Sequence, residues 1–361
     1  MGIGHPAVEG LGVTPALWSG RRVLVTGHTG FKGAWAARWL ARAGAEVHGL
    51  ALPPEPGPNL CDMLGDAHLA ASHLVDLRDA AAVRRVVDGA RPQVVLHLAA
   101  QPLVRRSFAD PVETFGCNLM GTVHLLEALR YQTGLAAVLV VTSDKVYAND
   151  NSGRAYMEGD RLGGHDPYSA SKAATEIAVA SFADSFFTCP VVTARGGNVV
   201  GGGDFAAERL IPDIVRAAMA GQNLVLRNPG STRPWQHVLD CLSGYISYAE
   251  ALLVGKAVSP ALNFGPPAGA TPLTVADVAE AVQAAMGLPS GWQLDPEPGP
   301  PEMVKLSINP GLAMETLGWR QKLDGAATTA WIAEWYGAYR SQRDMAALTD
   351  AQIARYEELP A

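Results

Sequence analysis

The sequence predicts an α/β fold in which helices cover both faces of a parallel sheet. Short apolar runs alternate with helical segments through the first half of the chain, which is typical of consecutive βαβ units. A glycine-rich turn, Gly27-His-Thr-Gly-Phe-Lys-Gly33, lies between the first apolar run and a helical segment. A turn of this kind at a strand-to-helix junction indicates a Rossmann-type doubly wound sheet.

The elements of this sheet follow from local composition. Apolar and β-branched runs predict buried strands at 22–26, 46–50, 94–98, 137–141 and 190–194. Helical composition between these runs predicts helices at 34–43, 83–88, 112–131 and 168–185.

After Arg195 the composition changes. Glycine-rich loops at 196–198 and 201–203 precede a short predicted strand at 235–238 and predicted helices at 210–221, 239–253, 311–317 and 325–341. The change predicts a smaller, mixed α/β C-terminal domain, with the ligand in the cleft between the two parts. We expect an irregular N-terminal extension (1–18), a nucleotide-binding domain (19–195 plus about 236–262), a substrate domain (196–235 and 263–345) and a C-terminal tail (346–361).

Composition limits the classes of function. The 361 residues carry a formal net charge of −7, which argues against nucleic acid as a partner. The four cysteines (Cys61, Cys117, Cys189 and Cys241) form no CxxC pair, so free thiols in a reducing cytoplasm are expected. No apolar run approaches the roughly 20 residues of a membrane span. The nine histidines show no ligand spacing, so we expect no metal.

The glycine-rich turn predicts a dinucleotide site, because glycines let the backbone approach a pyrophosphate at a helix N-terminus. Its spacing is GxxGxxG rather than the general GxGxxG. The second strand ends in 47–52 without an acidic residue or an arginine, which favours NAD over NADP. The residues expected to contact NAD are Gly27, Thr29, Gly30, Phe31, Lys32, Gly33, Asp76, Leu77, Leu98, Ala99, Ala100, Gln101, Asn118, Tyr168 and Lys172.

Several motifs together carry a family resemblance. The glycine turn, Asp76-Leu77, Leu98-Ala-Ala100 and Tyr168-x-x-x-Lys172 resemble the extended short-chain dehydrogenase/reductase superfamily, whose sugar-nucleotide members include epimerases and 4,6-dehydratases. Longer segments, such as Thr142-Ser-Asp-Lys-Val-Tyr147, resemble the CDP-glucose 4,6-dehydratases. The resemblance covers roughly residues 19–340. It implies NAD as cofactor, CDP-glucose as substrate, a cytoplasmic location, and a homodimer or tetramer paired through helices 112–131 and 168–185.

The Tyr–Lys pair is the first catalytic candidate. A spacing of four places Tyr168 and Lys172 on one helical face. An ammonium near a phenol lowers the pKa of the phenol, and we expect Tyr168 to act as a base on a sugar 4-hydroxyl.

The second candidate is the triplet Ser143, Asp144 and Lys145. The resemblance implies that Ser143 hydrogen-bonds the 4-oxygen and that Asp144 protonates the departing 6-hydroxyl. Lys145 either takes the C5 proton, for which its pKa must fall, or stays charged and stabilises the enolate. Related dehydratases acting on dTDP-sugars carry Glu at this position.

Substrate contacts are expected from polar residues after the strands. Arg233 suits a pyrophosphate, because guanidinium groups bind phosphate oxygens through paired hydrogen bonds. The full expected set is Arg105, Arg195, Asn198, Arg209, Arg233 and His237. The alternatives are a dTDP- or GDP-linked dehydratase, a nucleotide-sugar 4-epimerase, or a non-catalytic NAD-binding protein. An epimerase needs no acid–base pair at C5 and C6, so Asp144 and Lys145 favour elimination of water.

Overall fold

A seven-stranded parallel sheet forms the centre of the molecule. The computed structural model describes residues 13–267, 269–271, 273–297, 303 and 305–360. The strands, in chain order, are β1 (Arg22–Thr26), β2 (Glu46–Ala51), β3 (Ala71–Leu74), β4 (Val94–His97), β5 (Ala137–Val141), β6 (Ala155–Tyr156), β7 (Val191–Gly196), β8 (Asn198–Val200), β9 (Leu224–Leu226), β10 (Thr232–Arg233), β11 (Trp235–His237), β12 (Ala261–Phe264), β13 (Leu273–Thr274), β14 (Trp292–Leu294) and β15 (Ser307–Ile308). The helices, in the same order, are α1 (Pro15–Trp18), α2 (Phe31–Arg42), α3 (Leu60–Leu64), α4 (Ala80–Ala90), α5 (Val104–Ala109), α6 (Pro111–Phe115), α7 (Gly121–Leu129), α8 (Pro167–Phe186), α9 (Leu210–Ala220), α10 (Val238–Leu253), α11 (Val275–Ala285), α12 (Gly311–Leu317), α13 (Gly325–Arg340) and α14 (Met345–Glu358).

The strand order of the sheet is β12-β7-β5-β4-β1-β2-β3, and every pairing is parallel. Strands β4 and β5 are buried along their whole length, because helices cover both faces of the sheet. Helices α2 and α10 contribute to the core on one face, and α4, α7 and α8 to the core on the other. The predicted doubly wound Rossmann-type fold is confirmed.

Smaller strand pairs lie outside this sheet. Strands β8 and β11 pair in parallel, β9 and β14 also pair in parallel, and β10 and β13 are antiparallel. Helices α9, α11 and α13 belong to the same part of the chain and pack in the order α9, α11, α13. This mixed part borders the carboxyl edge of the large sheet and supplies the outer wall of the cavity described below.

The expected C-terminal tail is wrong, because residues 345–358 form the helix α14. Arg38 on α2 donates to Asp350 at 2.8 Å, and the Tyr356 hydroxyl donates to Asp240 on α10 at 2.8 Å. The large apolar side chains of α14 are Met345, Leu348, Ile353 and Tyr356, and the polar Thr349 and Gln352 complete its buried face, so the apolar stripe in the sequence is weak. Burial of Ile353 and Tyr356 against the neighbouring helices stabilises the helix instead.

The expected irregular extension is also corrected in part. Residues 1–12 of it lie outside the described residues, whereas Pro15–Trp18 form a short helix. The indole of Trp18 is buried and donates to Glu250 at 2.7 Å, which fixes this helix to α10. The long helix expected at 112–131 contains a π-helical turn at Gly116–Met120 between α6 and α7. Among the described helices, none combines the length and the apolar composition needed to cross a bilayer.

Candidate active site

The polar segments singled out in the sequence meet at the carboxyl edge of the sheet. The glycine turn follows β1, the segment 98–101 follows β4, the segment 142–145 follows β5, and the segment 196–198 begins at the end of β7. A cavity of about 270 Å³ opens at this edge, between the sheet and the part of the chain that carries α9, β9 and β10. Ligands of doubly wound sheets bind at this edge.

The glycine turn is packed too closely to admit side chains. Gly27 has a φ of 78°, and a Cβ atom on it would lie 2.8 Å from the backbone nitrogen of Ala99. A Cβ atom on Gly33 would lie 2.0 Å from the carbonyl oxygen of Gly27. Gly30 is the N-cap of α2, so the turn presents its backbone at a helix N-terminus. These features fit the pyrophosphate of a dinucleotide.

Other residues expected near the cofactor contact the protein itself. Asp76 pairs with Arg78 at 2.6 Å, and Leu77 is buried against Gly121. The Thr29 hydroxyl donates to the carbonyl of Leu52 at 2.9 Å.

Gln101 and Asn118 hold one another through their backbone and amide groups, at 2.8 and 3.1 Å. This contact fixes the loop after β4 against α8, because Asn118 also donates to Ser171 at 2.9 Å. The ring of Phe31 lies near Gly201. Leu98 and Ala100 line the cavity.

Lys32 lies inside the glycine turn, yet its side chain lines the cavity. Burial lowers the pKa of its ammonium, and the charge of Arg209 lowers it further, while Cys241 and Asp144 act in the opposite direction. Lys32, Lys145 and Lys172 therefore share one cavity.

Asp144 is the most deeply enclosed acid of the cavity, with 2% of its surface exposed. The Ser143 hydroxyl donates to its Oδ1 atom at 2.9 Å, and its Oδ2 atom has no hydrogen-bond partner among the described residues. Burial raises the pKa of this carboxyl, and the charge of Lys145 opposes the rise. A buried carboxyl that has a raised pKa and one oxygen without a hydrogen-bond partner can hold a proton and donate it.

Tyr168 and Lys172 lie on α8, whose first turn is capped by Asp166. The backbone of Tyr168 donates to Ser107 at 3.1 Å, which fixes the entry of the helix. Burial raises the pKa of Tyr168 to about 12, although a hydrogen bond with Ser143 lowers it. This differs from the expected lowering by Lys172, because burial outweighs any effect of that ammonium.

Lys172 itself is affected by burial. Its ammonium donates to the carbonyl of Val141 at 3.1 Å. Burial lowers its pKa to about 7, and the charge of Lys32 contributes to the fall. Near neutral pH the Lys172 amine can therefore gain or lose a proton, which makes the Tyr–Lys pair sensitive to any added charge.

Four of the expected substrate contacts line the cavity: Arg105, Asn198, Arg209 and Arg233. Arg209 pairs with the buried carboxylate of Asp204 at 3.2 Å. Arg233 is largely buried and donates to the carbonyl of Thr232 at 2.9 Å. The arginines belong to separate elements that converge on the cavity, so they offer positive charge to an anionic ligand.

Arg195 does not line the cavity, contrary to expectation. Its guanidinium forms a two-point contact with Glu176, at 3.1 and 2.8 Å, and both side chains are about 95% buried. It also donates to the hydroxyl of Tyr147 and the carbonyl of Glu158, each at 2.9 Å. Glu176 also accepts hydrogen bonds from two threonines, Thr142 on the segment after β5 and Thr193 on β7. Arg195 therefore holds α8 against the sheet and is unavailable to substrate.

His237 is also misassigned by the sequence. It is fully buried and accepts a hydrogen bond from the backbone of Leu239 at 3.2 Å, which caps α10. Burial lowers its pKa to about 3, so the ring stays neutral. Its position makes it a structural residue of the helix N-terminus and keeps it away from the cavity wall.

With this geometry in view, comparison with known proteins identifies the family. The model of the NAD dependent epimerase/dehydratase family matches residues 23–259. A CDP-glucose 4,6-dehydratase from Salmonella typhimurium is 40% identical over 348 residues, which cover 94% of this chain and 97% of that protein. The chain belongs to the NAD-dependent epimerase/dehydratase family.

Solved structures of this family share the fold. The NAD complex of a UDP-glucose 4-epimerase from Thermus thermophilus superposes with a TM-score of 0.75 at 27% identity and covers 88% of this chain and 99% of its own. An epimerase from Methanothermobacter thermautotrophicus superposes with a TM-score of 0.80 at 23% identity, over 94% and 98% of the two chains.

Within the described residues, no group of three or more His, Cys, Asp or Glu is placed to hold a metal.

The structure also adds residues that the sequence-based prediction lacked. Glu208, Arg227 and Asp204 line the same cavity as the family motifs. Arg227 directly follows the short strand β9 and precedes a Pro-Gly turn, which is a signal for a ligand-binding loop. Glu208 and Asp204 carry no such signal, because their place beside the arginines depends on how distant elements pack.

Proposed function

We propose that this protein converts CDP-glucose to CDP-4-dehydro-6-deoxyglucose and water with NAD as cofactor. The observation that carries the proposal is the presence of both Asp144-Lys145 and Tyr168 in one cavity. A redox step alone requires only the tyrosine, whereas elimination requires an additional acid and base. The 40% identity to the Salmonella typhimurium CDP-glucose 4,6-dehydratase supports the same substrate.

The cofactor would lie along the glycine turn, in the domain expected at 19–195 plus about 236–262. NAD, when bound, would supply the redox chemistry, as hydride acceptor for C4 and hydride donor for C6. The task of Tyr168 is to take the proton of the sugar 4-hydroxyl, while Ser143 donates a hydrogen bond to the 4-oxygen. Ser143 and Tyr168 line the same cavity, which supports this shared role.

Elimination then involves Asp144 and Lys145. The new 4-ketone makes the C5 hydrogen acidic, and Lys145 removes this proton. Asp144 transfers its proton to the 6-hydroxyl, the C6–O bond breaks, and water departs. Lys145 returns a proton to C5 when C6 is reduced. The raised pKa of Asp144 supports its role as the acid, and so does its Oδ2 atom, which has no hydrogen-bond partner among the described residues.

Product analysis by NMR tests the proposal. We expect purified protein to convert CDP-glucose to the 4-dehydro-6-deoxy product without added reductant, and UDP-, dTDP- and GDP-glucose much more slowly. Turnover of another nucleotide-glucose in preference to CDP-glucose would refute cytosine as the nucleobase of the substrate. Inversion at C4 with the 6-hydroxyl retained would indicate an epimerase instead.

The role of Lys145 can be separated into base and charge. We expect Lys145→Met and Lys145→Arg both to reduce solvent deuterium exchange at C5 by about a hundredfold or more, because neither side chain accepts a proton near neutral pH. CDP-4-dehydroglucose that keeps its 6-hydroxyl should then form in NMR measurements, up to one equivalent per active site, because only the blocked step would regenerate the oxidised cofactor.

An exposed lysine distant from the cavity provides the matched control, and Lys256→Met should exchange normally. Exchange within tenfold of normal in Lys145→Arg would contradict the role of base. It would assign enolate stabilisation by a fixed charge, because Arg retains the charge but not the basicity of Lys.

We further infer a homodimer or tetramer working in the cytoplasm. Exposed apolar side chains occur along the segment from α6 to α7 and on α8, notably Val112 and Ile177, which are 82% and 64% exposed. Exposed apolar residues on two neighbouring helices suit pairing with a second copy. Sedimentation equilibrium should give two or four times the 38.0 kDa chain mass, and a monomer mass would refute the assembly.

The inferred location in the cytoplasm is supported by the cysteines. All four are free thiols, as is usual in a reducing compartment.

A further inference from the structure

Glu208 bridges two arginines at the mouth of the cavity. Its carboxylate lies 3.2 Å from Arg105 on α5 and 3.7 Å from Arg227 after β9. All three side chains line the cavity and are partly exposed, at 39%, 33% and 27%. A single carboxylate therefore connects the sheet side of the cavity with its outer wall.

The backbone of Glu208 is held in an unfavourable conformation. Its φ is 60°, in the left-handed region that residues with a Cβ atom rarely adopt. Arg227 donates to the carbonyl of Glu208 at 2.8 Å, so the same arginine binds both the backbone and the side chain of this residue. These contacts maintain the strained residue at the cavity mouth.

The neighbouring ion pair of Asp204 and Arg209 differs from the Glu208 contacts in the burial of its carboxylate. Asp204 is 5% exposed and accepts a hydrogen bond from the backbone of Ala206 at 3.1 Å, in addition to its contact with Arg209. It cannot leave its arginine without burying an unpaired charge elsewhere. Glu208 has a longer, exposed side chain and can turn into water at little cost.

We propose that the Glu208 carboxylate, which pairs with Arg105 and Arg227, competes with the diphosphate of the substrate for these two arginines. The inference rests on the proposed function for its natural ligand, a nucleoside diphosphate sugar. Phosphate oxygens are the stronger partners for guanidinium groups, because they carry more charge and accept paired hydrogen bonds. The carboxylate thus competes with the substrate and lowers its apparent affinity.

Glu208→Gln tests this competition without changing size. We expect the dissociation constants of CDP and of inorganic pyrophosphate, measured by calorimetry, to fall about three- to tenfold, as two partly exposed ion pairs are removed. The matched control is Glu334→Gln, because Glu334 is 40% exposed and pairs with Arg355 at 2.6 Å on another surface. It makes the same change in net charge and should leave both constants unchanged.

A second variant establishes which contact matters. In an Arg227→Met background, Glu208→Gln should improve pyrophosphate binding by less than in the natural protein, because the two residues are coupled. Weaker or unchanged pyrophosphate binding in Glu208→Gln would overturn the inference, since the carboxylate would then be positioning the arginines. Absence of pyrophosphate binding to both proteins would overturn it as well.

The pyrophosphate measurement depends on neither base nor sugar. Tighter pyrophosphate binding by Glu208→Gln in a protein that does not dehydrate CDP-glucose would keep the inference and refute the proposed function. If the natural protein dehydrated CDP-glucose normally and Glu208→Gln left pyrophosphate binding unchanged, the proposed function would stand and the inference about Glu208 would be refuted.

Discussion

Tyr168→Phe should reduce the kcat for dehydration of CDP-glucose by a factor of about 10² to 10⁴, the usual contribution of a positioned general base. The change removes one oxygen from a ring that is 8% exposed, so packing on α8 is preserved. The protein itself raises the pKa of this phenol to about 12, mainly through burial. Deprotonation at neutral pH therefore depends on positive charge that enters with the ligands or on protonation of Lys172.

Initial rates by NMR and CDP affinity by calorimetry measure this effect. Affinity for CDP should remain within about threefold of normal, because the phenol acts on the sugar. Tyr131→Phe is the matched control, since Tyr131 is 52% exposed and does not line the cavity. A Tyr168→Phe variant with more than a tenth of the normal kcat would exclude the phenol as the base.

Arg195→Met should lower the free energy of unfolding by about 3–5 kcal/mol, because it leaves the Glu176 carboxylate buried without its charged partner. The pair joins α8 to β7 with side chains that are about 95% buried. Glu176 also lies one helical turn after Lys172, so its loss of support should disturb the Tyr–Lys pair. Urea unfolding followed by circular dichroism measures the change.

Two comparisons isolate this buried pair. Arg84→Met breaks an exposed contact with Asp88 at 2.9 Å and should cost less than about 1 kcal/mol. Adding Glu176→Leu to Arg195→Met should recover part of the stability, since the unpaired charge is then removed. If Arg195→Met were as stable as the natural protein but bound CDP weakly, the original expectation of a substrate-binding arginine would be right after all.

Local patterns predicted five of the seven strands of the sheet and missed β3 and β12. Runs such as 137–141 are short, rich in valine and apolar without alternation, which is typical of a strand buried on both faces, and β5 spans the predicted residues. Helix α8 likewise spans nearly its predicted range, because it begins at a capping aspartate followed by proline. Helix α14 was not predicted, because its weak apolar stripe indicates a helix only when α2, α3 and α13 provide surfaces for it to cover.

The residues of the site divide in the same way. Motifs close in sequence, namely Ser143-Asp-Lys145 and Tyr168-x-x-x-Lys172, carry the proposed redox and elimination chemistry, and each is placed by one local element at the carboxyl edge of the sheet. Which arginines face the cavity could not be predicted from local sequence. Arg195 and Arg233 both lie near the ends of strands, β7 and β10, yet it is Arg195 that forms hydrogen bonds with the carboxylate of Glu176.

The sequence alone predicted most of the parallel sheet, the dinucleotide turn and the pairs proposed to be catalytic, because these depend on short-range spacing and on the direction of strands. The tertiary structure decided which cations are free to meet a ligand. It buried Arg195 in an ion pair, left Glu208 at the cavity mouth beside Arg105 and Arg227, and enclosed Asp144 so that its carboxyl retains a proton more readily. Charge pairing and burial arise from contacts between residues distant in the chain, and no local pattern encodes them.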